Sequence, residues 1–272
     1  MPPAAPSPYL CTIVTCYYRS PAKHSNANYD QWMHNFLTTV KNPMVIFCDE
    51  ESFEQITALR ATLEDITKIY ILPLNETICG RPTLDAMWAK DWQRDIERAI
   101  HNPNLYIIWN EKSMFVFRAM ARDPFNTEFF CWCDIGCFRD ARPEELNLFQ
   151  KEWPSRAFLE QARKDKMYFL NITPFEASDL MVLENGLTQS FERVTRIGAT
   201  IFLGHRNVFE QWVHLYYKTL DNYIVNDYFA GKDQNIIATM YVLYPEIFKL
   251  VTPVPGEGNP WFYLQRHFLK AE

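Results

Sequence analysis

The stretch Trp132-Cys133-Asp134-Ile135-Gly136-Cys137-Phe138-Arg139 carries the strongest chemical signal in the chain. An apolar run that delivers one carboxylate and then a glycine to its tip puts negative charge where a ligand can approach the backbone closely. Oxygen ligands of this kind suit a hard cation such as Mg2+ or Mn2+, which binds few carboxylates and completes its shell with water and substrate phosphates. The same spacing allows a plainer role, in which Asp134 caps a turn or pairs with Arg139. Three thiols, Cys131, Cys133 and Cys137, cluster here as well, but in what reads as a buried strand, where cysteine behaves as a small hydrophobe. A structural zinc site wants four ligands in CxxC-like pairs; with no second pair in the chain, zinc is rejected.

The elements that must position such residues follow from periodicity. Short β-branched or aromatic runs alternate with longer helical patterns, which predicts βαβ units and a mostly parallel central sheet flanked by helices, an α/β fold in a single domain. Strands are expected over Cys11 to Cys16, Met44 to Cys48, Lys68 to Leu72, Glu128 to Cys133, Met167 to Ile172 and Thr200 to Leu203. Helices are expected near Tyr29 to Val40, from a Ser52/Gln55 capping box to about Leu63, from Thr83 to about Ile100, and from about Glu111 to Ala121. His101-Asn102-Pro103-Asn104 reads as a helix stop. Further helices are expected at Pro174 to Leu183, Val208 to Leu220 and Gln234 to Leu243. Ligands of open α/β sheets sit outside the carboxyl ends of the strands, a rule that selects Thr15 to Arg19, Asp49-Glu50, Asp134 to Arg139, and Gly204-His205. In Gly231-Lys232-Asp233-Gln234, Asp233 reads as a natural N-cap, worth ~1 kcal/mol to the helix it opens.

Composition sets the bounds. With 272 residues, 48% hydrophobic, 15% aromatic and 22% charged, the chain has ample material for a packed core. A net charge of −6 argues against nucleic acid as a main partner, because phosphate backbones call for a basic face. No run of about 18 apolar residues predicts a transmembrane segment. Met1 to Leu10 lacks the basic head and apolar run of a signal peptide and reads as a frayed, disordered leader. Seven scattered cysteines, an odd count, fit reduced thiols and a cytoplasmic location.

The stretches Tyr29-Asp30-Gln31-Trp32-Met33-His34-Asn35-Phe36-Leu37, Tyr106-Ile107-Ile108-Trp109-Asn110-Glu111-Lys112 and Trp132 to Arg139 resemble the HtrL/YibB family, which occurs in bacteria and large viruses and is grouped with GT-A-type glycosyltransferases. The resemblance runs from about Thr12 to about Leu243. It implies a GT-A-like domain over residues 11–272, with a donor-binding half at about 11–140 and an acceptor half at about 141–272. It also implies transfer of a sugar from a nucleotide-sugar donor, by analogy a UDP-sugar, to a glycan or other hydroxyl acceptor, with Mn2+ or Mg2+ held by an Asp-x-Asp signature. Asp134 matches the first aspartate of that signature, while Gly136 stands in the place of the second. A metal would then need help from elsewhere, such as the C-terminal His267, or positive side chains would replace it.

On the same resemblance, Lys112 becomes the cation for a departing diphosphate, acting with the N-terminus of the helix it is expected to open. The plainer alternative is a surface lysine paired with Glu111 or Asp123. Arg19 and Arg139 are second choices. Thr15 and Tyr17, with Tyr18, offer hydroxyls and rings to the nucleobase, or are core and rim aromatics; Asp49 offers an acceptor for a base N–H or ribose hydroxyl. The glycine-flanked strand entering Gly204-His205 is expected on the acceptor side. Asp233 is the candidate general base, or with Gln234 orients donor hydroxyls. Two other readings stay open: a nucleotidyltransferase, disfavoured by the lack of a Gly-rich phosphate loop, and a catalytically inactive carbohydrate- or nucleotide-binding protein. An α/β-hydrolase is disfavoured because no GxSxG elbow exists.

Overall fold

The computed structural model describes residues 7–19 and 24–271. The expected leader lies outside the described residues as far as residue 6, as do residues 20–23 of the loop after the first strand. Seven strands, β1 Cys11–Tyr17, β2 Met44–Cys48, β3 Thr67–Ile71, β4 Phe129–Cys133, β5 Met167–Asn171, β6 Ile197–His205 and β7 Phe248–Val251, form one sheet in the order β3-β2-β1-β4-β6-β5-β7. β1, β2, β3 and β4 pair in parallel, as do β5 and β7, and β6 alone among these strands runs antiparallel to its neighbours β4 and β5. The fold is therefore the expected single-domain α/β arrangement with a mostly parallel sheet.

Nearly every residue of β1, β2 and β4 is buried, as continuous apolar runs require when helices cover both faces. On one face Val14, Phe47, Phe130 and Trp132 pack against α3 Asp85–Arg94, α4 Pro103–Arg122, α7 Arg206–Val225 and α8 Asp233–Leu243. On the other, Ile13, Ile46, Cys131 and Cys133 pack against α1 Asn26–Thr39, α2 Glu50–Arg60, α6 Arg156–Gln161 and α9 Tyr263–His267, with the short α5 Pro143–Leu146 nearby in sequence. Phe115 of α4 stacks on Phe47 at 5.0 Å and on Trp132 at 6.0 Å, so truncating it would open a cavity costing ~3–5 kcal/mol. The seven cysteines are buried free thiols. No helix among the described residues is long and apolar enough to cross a membrane.

Several expected boundaries move, each for a local reason. α2 is capped by Asp49, whose carboxylate accepts from Ser52 N–H, so Ser52 lies inside the helix and the Ser52/Gln55 box does not form. The helix expected from Thr83 to Ile100 is regular only over Asp85–Arg94. The run read as its stop is the start signal of α4: the Asn102 side chain accepts from Leu105 N–H and Pro103 occupies the first turn, where it lacks nothing the helix needs. α4 thus begins well before Glu111, and Lys112 lies mid-helix instead of at an N-terminus. Pro174 to Leu183 holds only a 3-10 turn at Ala177–Leu180, and β7 was not foreseen.

Candidate functional site

Four consecutive polar residues of α4, Asn110, Glu111, Lys112 and Ser113, are buried, which is tolerable only if each finds partners. At 100° per residue they point in different directions around the helix. Asn110 donates to the Ala230 carbonyl and accepts from the Tyr216 hydroxyl. Glu111 accepts from the N–H groups of Ile78 and Cys79. Ser113 accepts from the Trp212 indole. Lys112 points toward the carboxyl edge of the parallel strands, where its ammonium lies 3.1 Å from Asp134 and 3.1 Å from Asp233 and donates to the Ala199 carbonyl at 3.0 Å.

Asp134 follows the last residue of β4, and its backbone N–H donates to the Thr200 carbonyl of β6. Its carboxylate accepts from the Trp132 indole at 2.6 Å and from Lys112 at 3.3 Å. Asp233 is the first residue of α8 and not its N-cap, a place taken by Lys232; one carboxylate oxygen accepts from Gln234 N–H and the other meets Lys112. Burial pushes the Asp233 carboxyl up to about 6, against the pull of Lys112 and with a further push from Asp134. Burial by itself would pull Lys112 down, but the two carboxylates outweigh it and hold the ammonium above its ordinary value. Two carboxylates and one ammonium leave the centre with about one net negative charge.

The centre opens into a cavity of about 500 Å³. Of the residues singled out from the sequence, Tyr17, Lys112, Asp134, Gly136, Arg139, Asp233 and Gln234 line it, together with Tyr18. Thr15 does not: it shares a face of β1 with Tyr17 but lies two residues further from the strand's carboxyl end and is fully buried. Asp49 is spent as a cap, accepting from the N–H groups of Arg19 and Ser52. Arg19 bonds to Gln55 and lies within ion-pair range of Asp30 and Glu51. Gly204 and His205 need a correction. Because β6 is antiparallel, they pair with Phe130 and Phe129 at the opposite edge of the sheet from Asp134. A Cβ at Gly204 would fall 2.3 Å from Met167 Sδ, so this glycine serves packing, and His205 caps α7. It is the other end of β6, Ala199 and Thr200, that reaches the site.

Sequence reasoning missed a second polar group on the same cavity. Asp95 accepts from His101 Nδ1 at 2.8 Å, from the Tyr106 hydroxyl at 2.7 Å and from Glu97 N–H at 2.8 Å. Lys232 approaches Glu97 at 2.5 Å and Asp95 at 3.9 Å. Burial pushes Asp95 upward, yet these donors outweigh it and hold the carboxyl below its usual range. Asp95, Glu97 and His101 bring ligand atoms within 4.8 Å of one another and could hold a metal ion. The only available signal was two acids and a histidine in a run read as the end of a helix.

The metal expected at Asp134 does not fit the residues around it. Both carboxylate oxygens already meet N–H donors, and the Lys112 ammonium stands where a cation would bind. Asp134 and His267 share no group of three acidic, histidine or cysteine side chains close enough to hold an ion among the described residues. His267 packs against Phe158 and Tyr263 and does not line the cavity.

Residues 12–270 match the model of the HtrL_YibB family, described as a bacterial protein of unknown function, and the chain belongs to that family. Among solved structures, apo mouse xyloside xylosyltransferase 1 is similar over 97% of this chain and 94% of its own, at 10% identity and a TM-score of 0.43. The 4-diphosphocytidyl-2C-methyl-D-erythritol synthase of Anaerococcus prevotii is similar over 91% of this chain and 90% of its own, at 10% identity and a TM-score of 0.40. A search of curated protein sequences finds no match.

Proposed function

We propose that this HtrL_YibB-family protein is a glycosyltransferase that moves a hexose or a pentose such as xylose from a nucleotide-sugar, a UDP-sugar by analogy, to a hydroxyl of a glycan or other acceptor. One observation carries the reading: the carboxylate–ammonium–carboxylate centre of Asp134, Lys112 and Asp233 at the carboxyl edge of the parallel strands, where ligands of such sheets bind. The donor half is assigned to about residues 11–140 and the acceptor half to about 141–272. The aromatic wall of Tyr17 and Tyr18 receives the nucleoside; because the Tyr18 hydroxyl is committed to the Leu72 carbonyl, that residue offers its ring.

In the reaction, the acceptor oxygen forms a bond to the anomeric carbon while the bond from that carbon to the diphosphate oxygen breaks. The diphosphate leaves with the electron pair. Asp233 takes the acceptor proton, a role suited to a carboxyl pushed up to about 6, which is ionised at neutral pH yet more basic than an ordinary aspartate. Lys112 keeps Asp233 and Asp134 in register and offsets part of their own negative charge beside the departing group. Gln234, next to Asp233 on the wall, orients sugar hydroxyls.

A thermal-shift panel of nucleotide sugars and glycans tests the reading, since a ligand at 100 times its Kd adds about 2.7 kcal/mol to the native state. The expected result is a shift with one nucleotide sugar and the matching nucleoside diphosphate. Asp233→Asn should keep that shift and lose turnover. Shifts with glycans and none with any nucleotide would replace the transferase by a carbohydrate-binding protein.

A further inference from the structure

Three cations and three carboxylates line the cavity among the described residues. Lys112 is paired with Asp134 and Asp233, and Lys232 with Glu97. Arg139 is different. Its Nε donates to the neutral Gly136 carbonyl at 2.9 Å, its Nη1 lies 3.4 Å from His24, and no carboxylate pairs with it among the described residues. The guanidinium packs against the Trp32 ring at 4.4 Å and the Phe262 ring at 5.2 Å, which holds it in one plane without neutralising it. A half-buried, unneutralised guanidinium on the wall of a cavity is arranged for an anion.

Gly136 explains how the group gets there. A Cβ at this position would fall 3.0 Å from Arg139 Nη2 and 3.2 Å from Trp32 Cε3. Any side chain here would press on the guanidinium and its aromatic shelf. The glycine two residues past Asp134 thus makes room for a positive charge at the place where a second acidic metal ligand was expected. Together with the engaged oxygens of Asp134, this leaves Arg139 as the side-chain cation that takes over charge neutralisation.

We infer that Arg139, seated against Trp32 and Phe262 beside Gly136, anchors the diphosphate of the donor directly, so that the nucleoside diphosphate binds without a divalent metal at Asp134. Guanidinium geometry suits two parallel N–H···O bonds to phosphate oxygens, which a lysine does not reproduce. The inference rests on the nucleotide-sugar reading and adds to it the group that grips the phosphates.

Calorimetric titration of UDP, UMP, uridine and inorganic pyrophosphate into the full chain, in EDTA and in Mn2+, provides the test, with GDP and CDP series alongside. The expected result is that one nucleoside diphosphate binds with the same affinity to within about threefold in EDTA and in Mn2+, and more tightly than its nucleoside. Arg139→Gln should weaken it roughly 10- to 100-fold, the range of a charge-assisted hydrogen-bonded pair, while leaving the nucleoside unaffected. Arg139→Lys, which keeps the charge, should recover only part of that loss, and Arg19→Gln, outside the cavity, should show no loss. Nucleoside diphosphate binding that requires Mn2+, or that is equal in wild type and Arg139→Gln, overturns the inference and leaves the transferase standing. Binding of pyrophosphate as tightly as the nucleoside diphosphate overturns the anchoring of a donor. No nucleoside diphosphate binding under any condition removes the transferase reading itself.

Discussion

Two lysines on one cavity each face two carboxylates, and their settings differ. Lys112, with a side chain 5% exposed, is 3.1 Å from each of Asp134, 26% exposed, and Asp233, 5% exposed. Lys232, 14% exposed, makes its short contact with Glu97, which is 41% exposed, and stands 3.9 Å from Asp95. The aspartates diverge in consequence. Asp233, given one backbone N–H and a shared ammonium, is left with burial as its dominant influence and moves up; Asp95, buried too, has three hydrogen-bond donors and moves down. Burial alone therefore does not set a carboxyl's basicity. At Asp95 the donors aimed at the charged form outweigh burial, whereas at Asp233 burial, with a push from Asp134, outweighs them.

The comparison breaks or sharpens in four experiments. The largest effect is expected for Lys112→Met, which strands two carboxylates near each other and should cost ~3–5 kcal/mol in urea unfolding at pH 7. Lys232→Met, at a wetter pair, should cost far less, and equal losses would erase the distinction. Next comes pH. Because the Asp233 carboxyl stands at about 6 in the fold against an ordinary 3.8, the native state holds this proton more tightly than the unfolded chain. The group's contribution to stability is therefore greatest at low pH and declines as pH rises from about 4 to about 6, after which it is flat. Asp233→Asn should remove that decline, visible as a change in the difference between wild-type and variant urea midpoints across the window. An unchanged difference would show that burial does not govern this group.

Tyr106→Phe removes one donor from Asp95 and should cost ~1.5–3 kcal/mol, the range for hydrogen bonds to charged groups. It should also raise the pH at which Asp95 titrates, measurable by NMR. The smallest effect is expected for Glu97→Gln, whose half-exposed pair with Lys232 should be worth under about 1 kcal/mol and fade with salt. A large loss there would make the second cluster as tightly built as the first.

The candidate site was legible in parts and not in its assembly. Asp134 stood out because an apolar strand ended in one carboxylate, and Lys112 because a cation preceded that strand. Gly136 and Arg139 belong to the same short motif, so their proximity followed from spacing. Gly204-His205 went to the wrong edge, since the apolar pattern of a buried strand is the same in either direction and cannot say that β6 is reversed. Glu97 and His101 were missed because the end of α3 dissolves into irregular backbone, where no period links a residue to a face, and Lys232 because its partners lie more than a hundred residues earlier in the chain.

Alternation of apolar runs and amphipathic helices by itself determined that this chain builds an α/β sheet with Asp134 at a strand tip, because burial of β1, β2 and β4 on both faces leaves its mark in local composition. Which charges meet was decided only by tertiary structure. Lys112, Asp134 and Asp233 come from α4, the end of β4 and the start of α8, and they affect one another only because folding removes the water that would otherwise screen them.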